Sequence, residues 1–158
     1  MIKKLLIVLW LCCSATPCHA WPARVVAVVD GDTITVEPID GGERMKIRLY
    51  GIDAPELKQP FGETSRSFVS AKSLYQQVSI EVKSRDRYGR VVAIVWLPAG
   101  ESLQAAMLNA GLAWLWPQYC RNCQDWEKLQ ATAQRFCEGL WGEEVPVPPW
   151  EWRRGKRR

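Results

Sequence analysis

The stretch from Arg48 to Glu56 places a guanidinium and two carboxylates, Asp53 and Glu56, at the end of an apolar-rich segment and at its exit turn over Ala54-Pro55. Asp30-Gly31-Asp32-Thr33 lies upstream, and Asp86-Arg87-Tyr88-Gly89-Arg90 downstream. Hydrolysis of a phosphodiester needs an activated water, compensation for the charge building on phosphorus, and in-line geometry. Asp32 and Asp53 can supply two carboxylates to a hard cation such as Ca²⁺, which takes six to eight oxygen ligands with waters among them. The Ala54 carbonyl is a third ligand candidate. Arg48 and Arg90 carry planar forks that match non-bridging phosphate oxygens and keep their charge. Such donors raise the rate when their grip tightens in the transition state. Glu56 is the candidate general base.

Each residue has a plainer reading. Aspartates flanking a glycine commonly bond their own turn. Arg48 could be a solvated strand residue, Asp53 and Glu56 could cap the turn at Pro55, and Asp86–Arg90 could be a polar hairpin loop. Only their joint occurrence in one chain points to phosphodiester chemistry.

Absences narrow the chemistry further. His19 is the only histidine, and it falls in a segment expected to be removed. Lys3-Lys4, the apolar run Leu5–Cys13 and the small-residue end at Ala20 have the layout of a secretory signal peptide. The run is well short of the roughly 20 residues a spanning helix needs; an uncleaved anchor is the rival reading. Without histidine, Ser-His-Asp and Cys-His mechanisms are excluded. Losing Lys3 and Lys4 takes the formal charge from +4 to +2, which by itself says little about partners.

The elements that must position these residues follow from periodicity. Ala23–Val29, Thr33–Val36, Arg44–Ile52, Val78–Val82 and Arg90–Leu97 read as five strands. The last is expected to be buried on both faces. A helix with Phe68, Ala71 and Tyr75 as its apolar positions precedes the fourth strand. A second spans Leu103–Ala110 with Gly111 as its cap. A third carries Trp126 through Leu140, capped by Asn122 or Asp125. Five strands in a meander with three helices read as an α+β chain and suit a small closed β-barrel with helical cover, for which an OB-type barrel is the natural candidate.

Three cysteines lie beyond the signal segment. On an unbroken last helix, Cys123 and Cys137 would stand about 21 Å apart, too far for a disulfide. Cys120–Cys123 is then the feasible bridge across a tight turn; free thiols are the alternative, with Cys137 buried or free.

The chain resembles the thermonuclease family, typified by staphylococcal nuclease. The likeness is carried by Asp30–Val36 with Arg48–Glu56, and by Asp86–Trp96, within a span from about Ala23 to Trp141. The resemblance implies a five-stranded OB-fold β-barrel with three covering helices, and a calcium-dependent endonuclease acting on DNA and RNA, with products ending in a 3′-phosphate. It implies Asp32, Asp53 and the Ala54 carbonyl as metal ligands, and Arg48, Glu56 and Arg90 as catalytic residues. It also makes Tyr88, Trp114, Trp116 and Tyr119 candidates for substrate contact. Aromatic rings there would suit stacking on unpaired bases, and core packing is the alternative for each tryptophan. A nuclease-like binding module without catalysis, or a nuclease of a plasmid or mobile element, are the competing functions. All six site positions are compatible with activity.

The expected organisation is a signal peptide over 1–20, the nuclease domain over 21–142, and a Pro-rich arm with a basic tail over 143–158. After cleavage the protein is expected to be periplasmic or secreted, monomeric, and without stable membrane association. Arg153, Arg154, Lys156, Arg157 and Arg158 are read either as a solvated tail or as extra attraction for a phosphate backbone.

Overall fold

The computed structural model describes residues 20–120 and 122–155; the expected signal segment before Ala20, and Lys156, Arg157 and Arg158 of the basic tail, lie outside them. β-Branched residues alternate in and out along most of the strands, and the inward set builds the core. β1 (Ala20–Val28), β2 (Thr33–Pro38), β3 (Met45–Leu49), β5 (Gln77–Arg85) and β6 (Val91–Trp96) close a barrel in the order β1-β2-β3-β6-β5. Its interior is filled by Val25, Ile34, Val36, Ile47, Ile80, Ala93 and Val95, all buried. Register shifts between Val25 and Ala27 and between Val82 and Ser84 bend the long strands, as closing a small barrel requires.

Two expectations about the sheet are corrected. The strands do not form a simple meander: β3 pairs with β6 in parallel, Arg48 opposite Val92, and this pairing closes the barrel. The expected third strand does not run through to Ile52. Gly51 adopts φ 73°, and a Cβ there would sit 2.7 Å from Cys120 Sγ. The chain turns, and Ile52–Asp53 forms a separate short strand, β4, paired with β7 (Trp114–Leu115). The expectation that the fifth strand is buried on both faces is also corrected: β6 buries one face fully, the other is half-buried, and Trp96 at its end is exposed.

Helix α1 (Gly62–Ser73) starts earlier than its apolar residues suggest and buries Ser65, Val69 and Ser73, leaving Tyr75 exposed beyond its end. Its buried hydroxyls are satisfied locally: Ser65 Oγ donates to the Leu112 carbonyl at 2.7 Å, and Ser73 Oγ to Val69. Helix α2 (Leu103–Asn109) begins at Ser102, whose side chain accepts from the Ala105 amide. The buried Gln104 ties α2 to β6 by donating to the Ala93 carbonyl and accepting from the Val95 amide. Gly111 ends this segment as expected, with φ 62°.

Helix α3 (Gln124–Arg135) is shorter than its sequence pattern. It follows Cys123, with neither Asn122 nor Asp125 as its cap, and the chain breaks at Cys137, φ 54°, leaving Phe136 and Cys137 exposed. The Cys120–Cys123 bridge is present, with Cα atoms 5.8 Å apart. The arm ends in a fourth, short helix, α4 (Pro149–Arg153), which the sequence reading did not anticipate. Among the described residues no helix is long and apolar enough to cross a membrane.

Candidate active site

Barrel register brings the site together. Thr33 lies opposite Arg48 across β2 and β3, and Arg48 lies opposite Val92 across β3 and β6. Asp32 and Arg90, one residue before Thr33 and two before Val92, are thereby delivered to either side of Arg48. The turn at Tyr50-Gly51 swings Asp53 back onto the same guanidinium. Gly31 permits the final approach, because a Cβ there would meet Ala54 Cβ at 2.6 Å and Ser65 Cβ at 2.9 Å.

Arg48 is fixed from both sides. Its Nη1 donates to the Leu49 and Ile52 carbonyls at 2.8 and 2.7 Å. Its Nη2 lies 3.0 Å from Asp32 Oδ2 and 3.0 Å from Asp53 Oδ1. Asp32 Oδ2 also accepts from the Ala54 amide, and its Oδ1 from Thr33. Asp53 is 1% exposed. Burial pushes its carboxyl above the ordinary range, the Asp32 charge adds to this, and hydrogen bonds from Arg153 oppose it. Asp30 accepts from the Asp32 amide, so the turn role open to it is the one it fills. Burial first and the Asp32 charge second lift Asp30 to about 6.

On the other wall, Arg90 Nε lies 2.7 Å from Asp86 Oδ2, and Arg90 Nη1 reaches Thr33 Oγ1 at 3.4 Å. Slight burial works upward on Asp86, but hydrogen bonds from the Arg90 side chain and from the Arg90 and Tyr88 amides outweigh it and hold its carboxyl low. The exposed Tyr88 ring stands 4.9 Å from the Arg87 guanidinium and 5.8 Å from that of Arg90.

Arg48, Asp32, Asp53, Ala54, Glu56, Arg90, Tyr88, Trp116 and Tyr119 all line one cavity of about 660 Å³. Trp114 does not. It lies against Trp141, with ring centroids 4.3 Å apart, and lines a smaller cavity beside Val145, Pro146 and Val147 of the C-terminal arm. Trp116 and Tyr119 contact each other edge to face at 4.6 Å on the wall of the larger cavity.

Sequence reasoning missed two residues. Asp30 also lines the large cavity. Arg153, read only as tail charge, reaches in from α4: its Nη2 is 2.8 Å from Asp53 Oδ2 and its Nη1 is 2.7 Å from Glu56 Oε1.

The residues present suit a hard cation. Asp32 and Asp53 converge on a single guanidinium nitrogen, so two acid oxygens already stand together around one positive group, as a cation would require. Among the described residues no group of three histidines, cysteines or acids meets in one place. The remaining ligands would have to be the Ala54 carbonyl, water and substrate oxygen, as oxygen-rich calcium shells allow.

A closed five-stranded barrel whose rim gathers two acids, two arginines and a glutamate defines a phosphodiesterase of the OB-barrel type. Comparison with known proteins agrees. The family described as "Staphylococcal nuclease homologue" matches residues 46–143. An "Uncharacterized endonuclease" of Escherichia coli is 38% identical over 156 residues, covering 99% of this chain and 100% of the relative. The "Micrococcal nuclease" of Shigella flexneri is 34% identical over 146 residues, covering 85% and 81%. A plant relative, "Staphylococcal-like nuclease CAN1" of Arabidopsis thaliana, is 36% identical over 117 residues, which are 73% of this chain but 35% of that protein. The chain belongs to the staphylococcal nuclease family and is an endonuclease.

Proposed function

We propose that this protein is an exported, calcium-dependent nuclease that hydrolyses DNA and RNA with little base preference and leaves 3′-phosphate ends. The observation that carries the reading is the meeting of Asp32, Asp53 and both arginines in one cavity with Glu56. Asp32, Asp53 and the Ala54 carbonyl would hold Ca²⁺. The bound ion would supply Lewis-acid charge next to the scissile phosphate. Glu56, the half-buried carboxylate at the cavity wall, accepts the proton of the attacking water. Water oxygen bonds to phosphorus, the P–O5′ bond breaks, and the departing O5′ takes its proton from solvent. Arg48 and Arg90 face the cavity from two sides and bind the non-bridging oxygens as their charge grows. The Asp86 contact fixes Arg90 in advance through Nε, so little reorganisation is left there for the reaction. Arg48, whose Nη nitrogens hold two carbonyls and two acids, would turn Nη2 to a phosphate oxygen once a cation takes up Asp32 and Asp53.

Trp116, Tyr119 and Tyr88 provide flat faces on the same cavity. Stacking on such faces tolerates any base, which supports action on single-stranded regions of either nucleic acid. Export rests on the N-terminal pattern, and the cleaved form would act as a monomer in the periplasm or outside the cell, without a membrane attachment.

The test is cleavage of single- and double-stranded DNA and RNA by the mature protein in Ca²⁺ and in EDTA. Cleavage is expected in Ca²⁺ and none in EDTA. Equal rates in chelator would remove the cation, and tight binding without cleavage would favour a binding module.

A further inference from the structure

We propose that Arg153 is a built-in counter-cation of the acid pocket. In the metal-free protein the C-terminal arm holds it between Asp53 and Glu56, and it must withdraw from Asp53 when a divalent cation binds. The inference rests on the cation reading of Asp53 given above.

The arm is docked at three points. The Gln59 side chain donates to the Val147 carbonyl at 2.6 Å while accepting from the Glu56 amide at 3.1 Å, so one residue links the arm to the backbone of the candidate base. Pro149, the first residue of α4, is buried. Trp150 stacks on Trp116, centroids 5.8 Å apart at 22°, and meets Trp114 edge-on at 5.7 Å. Arg153 is thus presented to the pocket by a packed element rather than by a free tail.

Charge explains why it stays there. Asp32 and Asp53 share one nitrogen of Arg48, and Glu56 adds a third negative group. One guanidinium cannot neutralise three carboxylates, and a buried, uncompensated charge is strongly unfavourable. Arg153 reaches both oxygens of Asp53, at 2.8 and 3.3 Å, and one oxygen of Glu56 at 2.7 Å. A guanidinium on both oxygens of Asp53 occupies the lone pairs that a cation needs. The two cations compete, so each lowers the other's affinity for the pocket. The same guanidinium holds Glu56 Oε1 in an ion pair, so the candidate base is engaged in the metal-free protein. Arg153 is a positioning residue that keeps the metal-free pocket ordered.

The test is calorimetric titration of the full chain with CaCl₂, beside Arg153→Ala, Arg153→Gln and the exposed neighbour Arg154→Ala, with thermal melts in EDTA and in saturating Ca²⁺. Losing a charge-assisted contact that opposes binding should tighten Ca²⁺ about tenfold in both Arg153 variants. Arg154→Ala should stay within about twofold, since an exposed charge acts only through screened solvent. In EDTA the Arg153 variants should melt below the parent, and in Ca²⁺ all four proteins should melt together. Unchanged or weaker Ca²⁺ binding by both Arg153 variants, with normal binding by the parent, overturns the competition alone. An equal gain in Arg154→Ala also overturns it, since the effect would then be general charge. Failure of every protein to bind Ca²⁺ overturns both this inference and the cation reading.

Discussion

Arg48 and Arg90 occupy one cavity but are held differently, and lysine should expose the difference. Arg48 uses one nitrogen on two carbonyls and another on two acids; an ammonium cannot divide itself this way. Arg48→Lys should lose both turnover and stability. Arg90 is held through Nε by Asp86 and is more exposed. Arg90→Lys should cut kcat by about 10²-fold or more, the scale of losing one preorganised oxyanion donor. Its melting temperature should move by no more than a few degrees, the effect of about 1 kcal/mol. Kinetics and melts on the two variants separate the cases, and a near-parental kcat for Arg90→Lys would remove its transition-state role. Asp30 offers a pH test. Its folded pKa of about 6 lies above the ordinary carboxylate value, so its protonated form favours the folded state. That contribution is full below about pH 4 and is lost as pH rises through 6. In EDTA, Asp30→Asn should therefore stabilise the protein at pH 7.5 by about 1 kcal/mol, discounted for partial exposure, and have little effect at pH 4. Melts at the two pH values decide it. At this scale the sequence was informative, because site identities sit in short runs whose types match one chemistry. Trp114 and Arg153 were not legible, since which face a tryptophan turns, and which acid an arginine meets 97 and 100 residues away, are tertiary facts.

Elements, more than single residues, set the spacing of the acids. The loop over Asp30–Asp32 packs against α1 and the β4 exit at Gly31, where no side chain fits. Gly31→Ala must push both Ala54 and Ser65, and neither contact is the tip of a flexible chain. Overpacking of this kind costs about 1–3 kcal/mol, so the melting temperature should fall by roughly 2–12 °C for a domain of this length. Ca²⁺ affinity should fall too, because Asp32 and the Ala54 amide move apart. Calorimetry and a melt on one sample test both, and an unaltered affinity would show that the acids are not spaced by this contact. Strand and helix existence was readable from periodicity, while their limits were not. Gly51 ends β3 because of what Cys120 occupies, and the parallel β3–β6 pairing depends on barrel closure, which no local pattern encodes. Helix α3 stops short of its apolar residues because the chain turns left-handed at Cys137.

At the scale of the molecule, the formal charge is small, and the site itself is balanced. The lining of the large cavity contains five arginines, Arg48, Arg85, Arg87, Arg90 and Arg153, against five acids, Asp30, Asp32, Asp53, Glu56 and Asp86. A polyanion approaching such a surface gains little from net charge, since attraction and repulsion cancel within a Debye length of about 8 Å. Binding Ca²⁺ would add two positive charges and, on the competition argued above, return the Arg153 guanidinium to the cavity mouth. Substrate affinity, and not only turnover, should then depend on calcium. The prediction is made with Glu56→Gln, which removes the base and lets binding be measured without cleavage. Single-stranded DNA should bind this variant at least about tenfold more tightly in Ca²⁺ than in EDTA at equal ionic strength. Log affinity should also fall more steeply with log salt in Ca²⁺, by about 0.7 per added phosphate contact on a single strand. Removing Arg154 through Arg158 should lower both slopes equally if the tail touches the nucleic-acid backbone. Equal affinity with and without Ca²⁺ would mean that nucleic acid is held by the aromatic wall and the basic tail alone, and that the cation serves only the chemical step.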